Sequence, residues 1–147
     1  MFWQKHKVVE LLLAGGADPC AVDRRGMTTV HMAAGKGFSG VLTALLEAGA
    51  RDVMNYQAAQ LQDTPMLMAC AGGHLECVKV LQKFRADIGV WSVTAENCVD
   101  VARRFGHRNI VEYLLDDMTD ADAAAYREMW RVAEERHRRV QAELVER

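Results

Sequence analysis

A glycine-rich string, three histidines, an acidic pair and four cysteines are the residues whose types could support chemistry. Gly35-Lys36-Gly37-Phe38-Ser39-Gly40 spells G-x-G-x-x-G, which cradles a dinucleotide when it follows a strand and opens a helix. Here the string follows helical periodicity, and no acidic ribose-binding position can be placed on a following strand. It implies no cofactor. His31, His74 and His107 could act as bases or metal ligands. His74 and His107 occupy equivalent places in two similar segments, and a third such segment has Phe38 there. A position that accepts Phe serves packing or capping. His31 stands three residues after Thr28 at a helix start, where it would hydrogen-bond the neighbouring turn. Asp116 and Asp117 are adjacent, so they do not share a helix face as a catalytic pair would. No H-E-x-x-H, phosphate-binding loop or G-x-S-x-G occurs. The expectation is no catalytic residue, no cofactor and no metal. An enzyme would need a chemical site outside this chain.

Cys20, Cys70, Cys77 and Cys98 are separated by 50, 7 and 21 residues, and no C-x-x-C occurs. Zinc sites need close paired ligands, and a disulfide framework suits a domain with little apolar residue. The four therefore read as reduced, small buried hydrophobes, which places the chain inside a cell.

The 147 residues are 50% apolar and 26% charged, the composition of one globular domain. The net charge of -2 argues against nucleic acid as a partner, since such domains carry a basic excess. No apolar run approaches the roughly 20 residues of a membrane span. Met1 to Lys7 has no long apolar stretch behind it, so a secretory signal is not expected.

Three segments align with one another. They are Thr28–Phe38 (TTVHMAAGKGF), Thr64–His74 (TPMLMACAGGH) and Asn97–His107 (NCVDVARRFGH), in register steps of 36 and 33 residues. Each is followed by an amphipathic helical pattern: Val41, Leu42, Leu45, Leu46; then Cys77, Val78, Leu81; then Ile110, Val111, Leu114, Leu115. The same pattern opens the chain in Val8-Val9-Glu10-Leu11-Leu12-Leu13. Thr28 and Thr64 fit helix N-caps, and Pro65 fits a first helical position. Ala33, Ala69 and Ala102 let two helices approach closely. Gly37, Gly73 and Gly106 can end the first helix of each pair, as Gly16 and Gly49 can end the second. Each unit is thus helix, turn, helix and extended loop. One pair cannot bury its apolar face alone, whereas stacked pairs can.

These segments resemble the ankyrin repeat, with its T-P-L-H-x-A-A, G-H and I-V-x-x-L-L-x-x-G-A signature. The resemblance covers roughly residues 5 to 116. It implies an all-α, helix-turn-helix solenoid of about three repeats plus a partial N-terminal one, with residues 1–116 as the solenoid. Thr29 and Cys98 stand where the family prefers Pro, Leu67 and Asp100 where it prefers His, and Asn97 where it prefers Thr. The connection from Arg51 to Asp63 exceeds the period by three residues, so it should bulge. The first copy is expected to start inside its first helix. Met1 to Gln4 then reads as a reduced cap, or the chain as a piece of a longer array.

From Met118 the repeat stops, and residues 117–147 form a C-terminal extension. Thr119 and Asp120 can cap a helix of about 28 residues, roughly 40 Å long. Tyr126, Trp130, Ala133, His137, Val140 and Leu144 form a thin heptad seam on it. Its first half is read as folding back, with Tyr126, Met129 and Trp130 covering the last repeat. The second half projects, and either residues 126–147 pair with a partner helix or the helix stands solvated on its own.

What remains is recognition of other proteins. Ankyrin-like arrays meet partners through loop tips and inner helices. By position, this implies Arg24, Arg25 and Met27 on the first tip, and Tyr56, Gln60 and Leu61 on the second connection. It also implies Trp91, Val93, Thr94 and Glu96 on the third, and Lys36, Ala71, Arg104 and Phe105 on inner helices. Trp130 and Leu144 add contacts on the C-terminal helix. Trp91 lies outside both helical patterns; it reads as a binding hot spot or as a ring folded onto its own loop. The expected function is a non-enzymatic, intracellular scaffold or adaptor, cytoplasmic or cytoskeletal. Alternatives are a permanently docked subunit of a cytoskeletal or axonemal-type assembly, and a regulatory adaptor or inhibitor of an enzyme. The helix register carries a direct test. Leu45→Ala should lower unfolding free energy by about 2–5 kcal/mol in denaturant titration, and a near-neutral result would contradict burial of this position between repeats.

Overall fold

The computed structural model describes residues 2–58 and 62–146, with side chains from His6 onward. Its helices are α1 (Phe2–Ala14), α2 (Thr29–Lys36), α3 (Ser39–Glu47), α4 (Pro65–Gly72), α5 (Leu75–Lys83), α6 (Cys98–Arg104), α7 (Arg108–Asp116) and α8 (Asp120–Val145). A 3-10 turn spans Ala50–Val53. Among the described residues there is no strand, only an isolated bridge between Val22 and Thr28. The chain forms two compact units, Met1–Val111 and Glu112–Arg147.

In the first unit the helices form two layers. Helix α4 packs between α2 and α6, and α3 packs between α1 and α5. Within a pair, α2 packs on α3 and α4 on α5. The core is the set of side chains that the repeat pattern singles out. Leu42, Leu46, Met66, Val78 and Leu81 are fully buried, and Leu45 is 4% exposed. Ala33, Ala69 and Ala102 are also buried, where a larger residue would hold the helices apart.

Local capping explains where the inner helices begin. The Thr28, Thr64 and Asn97 side chains accept from the backbone N–H groups of His31, Leu67 and Asp100 at 3.3, 3.2 and 3.1 Å. Asn97 thus keeps the cap that the repeat's threonine supplies elsewhere. The loss of the family's His at position 100 is also offset. The Asp100 carboxylate accepts from the Asn97 N–H at 3.4 Å, as His31 Nδ1 does from the Thr28 N–H at 3.2 Å.

Histidines join one repeat to the next. His74 Nε2 donates to the Gly35 carbonyl at 3.1 Å, and His107 Nε2 donates to the Ala71 carbonyl at 2.9 Å. These rings sit where a side chain on the preceding repeat would be. A Cβ at Gly37 would lie 2.5 Å from the His74 ring, and one at Gly73 would lie 2.6 Å from the His107 ring. Both glycines also hold left-handed backbone, at φ +78° and +75°. His31 Nε2 makes the forward bond of this kind, donating to the Asp63 carbonyl at 3.0 Å.

Two expectations need correction. Helix α1 runs unbroken from Phe2 and packs beside α3 in the outer layer, so it is not the tail of an inner helix. No glycine precedes Gly15 to break it near Gln4. Cys70, Cys77 and Cys98 are buried, but Cys20 is only half-buried, on a loop with its Sγ 4.0 Å from the Gly49 carbonyl. Burial lifts the Cys77 thiol to about 11, consistent with an inert packing role. In the extension, Ala133, His137, Val140 and Leu144 of the heptad seam are exposed, as expected of a projecting half, and Tyr126 and Trp130 are half-buried with ring centroids 5.7 Å apart.

Two other expectations hold. Thr119 caps α8 by accepting from the Asp122 N–H, and its 26 residues span roughly 39 Å. The long second connection closes on itself, with the Ala58 N–H donating to the Asp63 carbonyl at 3.0 Å and the Gln62 N–H to the Ala58 carbonyl at 2.7 Å.

The histidine packing separates two otherwise similar substitutions. Gly106 has φ +77° but no atom within 4 Å of its would-be Cβ. Gly106→Ala should therefore cost only the left-handed strain, about 1–2 kcal/mol. Gly73→Ala meets the same strain and the His107 ring, so its loss should be clearly larger in thermal or urea unfolding. Equal losses would show that the ring contact is soft.

Candidate functional site

The loops before α4 and α6 and the exposed sides of those helices enclose a cavity of about 230 Å3. Leu67 and Ala71 of α4 and Val101, Arg104 and Phe105 at α6 line it, together with Asp63, Ser92, Val93 and Thr94 from the loops. Val93 and Phe105 are 57% and 50% exposed. The cavity thus pairs an apolar lining with exposed apolar groups, the composition of a binding recess.

The polar groups around it are largely paired. Arg104 Nε lies 3.0 Å from Glu96 Oε1, and its guanidinium sits 4.5 Å from the Phe105 ring centroid. Glu96 Oε2 accepts from Thr94 Oγ1 at 2.8 Å, and Ser92 Oγ is 2.7 Å from Thr94 Oγ1. The third loop is therefore preorganised by its own side chains. Asp63 differs. Burial raises its carboxyl above the ordinary carboxylate range, opposed by the positive fields of His31 and Arg104.

The backbone here is also unusual. Gln62, Arg85 and Ala95 are the positive-φ non-glycine residues among those described, at 52°, 66° and 57°. Gln62 and Ala95 directly precede Asp63 and Glu96, in the repeat position that Gly26 fills before Met27. Arg85 stands where the neighbouring copies have Gly16 and Gly49. Left-handed backbone with a side chain attached costs about 1–2 kcal/mol per residue.

A family described as ankyrin repeats in three copies matches residues 2–90 and 51–125. The chain belongs to the ankyrin-repeat family. Ankyrin-repeat domains are non-catalytic scaffolds that mediate protein–protein interaction, and proteins built from them are typically intracellular. The chain is 31% identical over 108 residues to tyrosine-protein kinase HTK16 of Hydra vulgaris, covering 74% of this chain and 14% of that protein. It is 30% identical over 123 residues to the E3 ubiquitin-protein ligase KEG of Arabidopsis thaliana, covering 81% of this chain and 7% of KEG. It is 33% identical over 108 residues to cyclin-dependent kinase 4 inhibitor B of Rattus norvegicus, covering 74% of this chain and 81% of the inhibitor. The chain therefore spans a small fraction of the kinase and the ligase, but most of the inhibitor. Among the described residues no group of three or more His, Cys, Asp or Glu could hold a metal ion. No described helix is long and apolar enough to cross a membrane.

The ankyrin-repeat positions selected from sequence divide among several places. Ala71, Val93, Thr94, Arg104 and Phe105 meet in the cavity, with Glu96 ion-paired at its edge. Trp91 lies outside that lining and is 56% exposed. Tyr56 is 44% exposed and meets the His31 ring edge-on at 6.2 Å. Arg24 and Arg25 are exposed on the first tip, where Asp23 Oδ1 accepts from the Arg25 and Met27 N–H groups at 2.9 Å. Met27 itself is half-buried. Lys36 lines a different cavity of about 290 Å3 formed by α1, α2 and α3. Trp130 is half-buried and Leu144 is 60% exposed, both on α8. Gln60 and Leu61 lie outside the described residues.

Sequence reasoning missed Asp63, Leu67, Ser92 and Val101 as cavity residues. A signal for Asp63 was present: it holds the repeat position of Met27 and Glu96, both of which were selected.

His31 fixes the Asp63 backbone and is fully buried. Burial pushes its imidazole below the ordinary 6.5, so the folded chain binds this proton less readily than the unfolded chain does. The unfolded chain takes up a proton as pH falls through about 6.5, so this contribution is complete above that pH and lost progressively below it. Urea unfolding should show stability declining below about pH 6.5, with a shallower decline in His31→Gln. Identical pH slopes in the two proteins would mean that His31 is not the linked group.

Proposed function

We propose that this ankyrin-repeat chain is an intracellular scaffold or adaptor that binds other proteins through the loops and inner helices of its second and third repeats. In this reading residues 1–116 are the solenoid and residues 117–147 a helical extension. The supporting observation is the cavity between α4 and α6, ringed by the exposed apolar side chains of Val93 and Phe105. Exposed Trp91 stands on the loop that supplies Ser92, Val93 and Thr94 to that cavity. Trp and Arg dominate binding hot spots, and both stand on this face.

The exposed Val140 and Leu144 on α8 support a second contact, with a partner helix pairing along residues 126–147. Two contacts on one chain would bridge partners, which is scaffold behaviour. Permanent docking into a cytoskeletal or axonemal-type assembly would use the same two surfaces, and would place the protein in the cytoplasm or on the cytoskeleton. A second reading is a regulatory inhibitor of an enzyme, supported by the coverage of most of cyclin-dependent kinase 4 inhibitor B.

Photo-crosslinking from probes at Trp91 and at Leu144 in cell extract tests the proposal. Capture by both supports a bridge or embedded subunit. Capture by Trp91 alone supports an adaptor or inhibitor with one contact face, and no capture at Trp91 contradicts the assignment of this face. With a captured partner in hand, Trp91→Ala should weaken binding by at least about 1 kcal/mol, roughly fivefold, with an unchanged melting temperature. Unchanged affinity would remove Trp91 from the binding surface.

A further inference from the structure

The cavity between α4 and α6 has one charged side chain, Asp63, that makes no hydrogen bond or ion pair among the described residues. Arg104 is held by Glu96 and lies over Phe105, while Glu96 also accepts from Thr94. The Asp63 backbone carbonyl, by contrast, accepts from both His31 and Ala58. Asp63 is half-buried already, in a recess with a predominantly apolar lining.

Filling the recess would remove more water from this carboxylate. A carboxylate buried without a direct ion pair is unfavourable even with Arg104 nearby, so an occupant is favoured if it brings a positive charge and otherwise drives the carboxyl to take up a proton. The volume of about 230 Å3 accepts one large apolar side chain. Two carboxylates and one guanidinium around the recess leave a net negative charge, so an anionic occupant is disfavoured.

We infer that the recess takes a large apolar side chain of a partner peptide segment that carries a lysine or arginine next to it, the cation seating against Asp63. This rests on the loop and inner-helix face being the binding surface. Asp63 then sets which partners are accepted, and the apolar lining supplies the anchorage.

Selection of a random twelve-residue phage-displayed peptide library against the whole chain tests it. The selected peptides are synthesised with each basic residue intact or replaced by glutamine, and their affinities measured by fluorescence polarisation for the native chain, Asp63→Asn and Phe105→Ala. Circular dichroism checks that each variant is folded. The expected consensus is an apolar residue beside a basic one. Replacing that basic residue should weaken binding to the native chain at least about fivefold, and should have little effect on Asp63→Asn. Equal losses in both proteins, or a consensus without a basic residue, would overturn the charge assignment while sensitivity to Phe105→Ala keeps the face. Peptides indifferent to both variants would overturn the face as well, as would a failure to enrich any peptide.

Discussion

The array depends on a contact between a ring and a missing side chain. His74 and His107 each reach back one repeat to a backbone carbonyl, and each can do so because Gly37 or Gly73 has no Cβ in the way. The same glycines end their helices in left-handed backbone, so one residue type satisfies two demands. The bond gives a half-buried imidazole its partner and satisfies a carbonyl at a helix end, where no intrahelical donor is available. Apolar burial then follows from the register that these contacts set, with Leu42, Val78 and Leu81 brought to full burial between layers. Stability in such a stack is local, since each repeat answers mainly to its neighbours.

Most of the solenoid was legible in the sequence because its period is enforced by residues with few substitutes. The helix starts at Thr28, Thr64 and Asn97 need a side-chain acceptor, and the turns at Gly37 and Gly73 need the absence of a side chain. Where the demand is looser, reading was poorer. The unbroken run of α1 from Phe2 was missed because amphipathic spacing marks a helix without saying where it begins. Cys20 was read as buried because residue type alone does not distinguish a loop thiol from a core one.

The site was partly legible for a related reason. Repeat position tells which side chains point from a tip or an inner helix, so Val93, Arg104 and Phe105 were found. It does not tell which of them converge. Lys36, Arg104 and Phe105 were grouped by position, yet Lys36 belongs to another cavity. Asp63 escaped because its significance lies in what its neighbours do with their charges. Arg104 and Glu96 are committed to each other, which no periodicity reveals.

The three non-glycine residues in left-handed backbone have a consequence for how the array opens. Gln62, Arg85 and Ala95 all fall on the connections into or between the second and third repeats. The seam between the second and third repeats carries two of them, Arg85 and Ala95, and Gln62 strains the connection into the second, while the joints within each helix pair are untouched. Heat or denaturant would therefore find the seam before it finds the layers, and the array would part there first. A partner lodged across the recess bridges the same seam, so its binding doubles as a clasp, and its grip would be felt as resistance to that first parting.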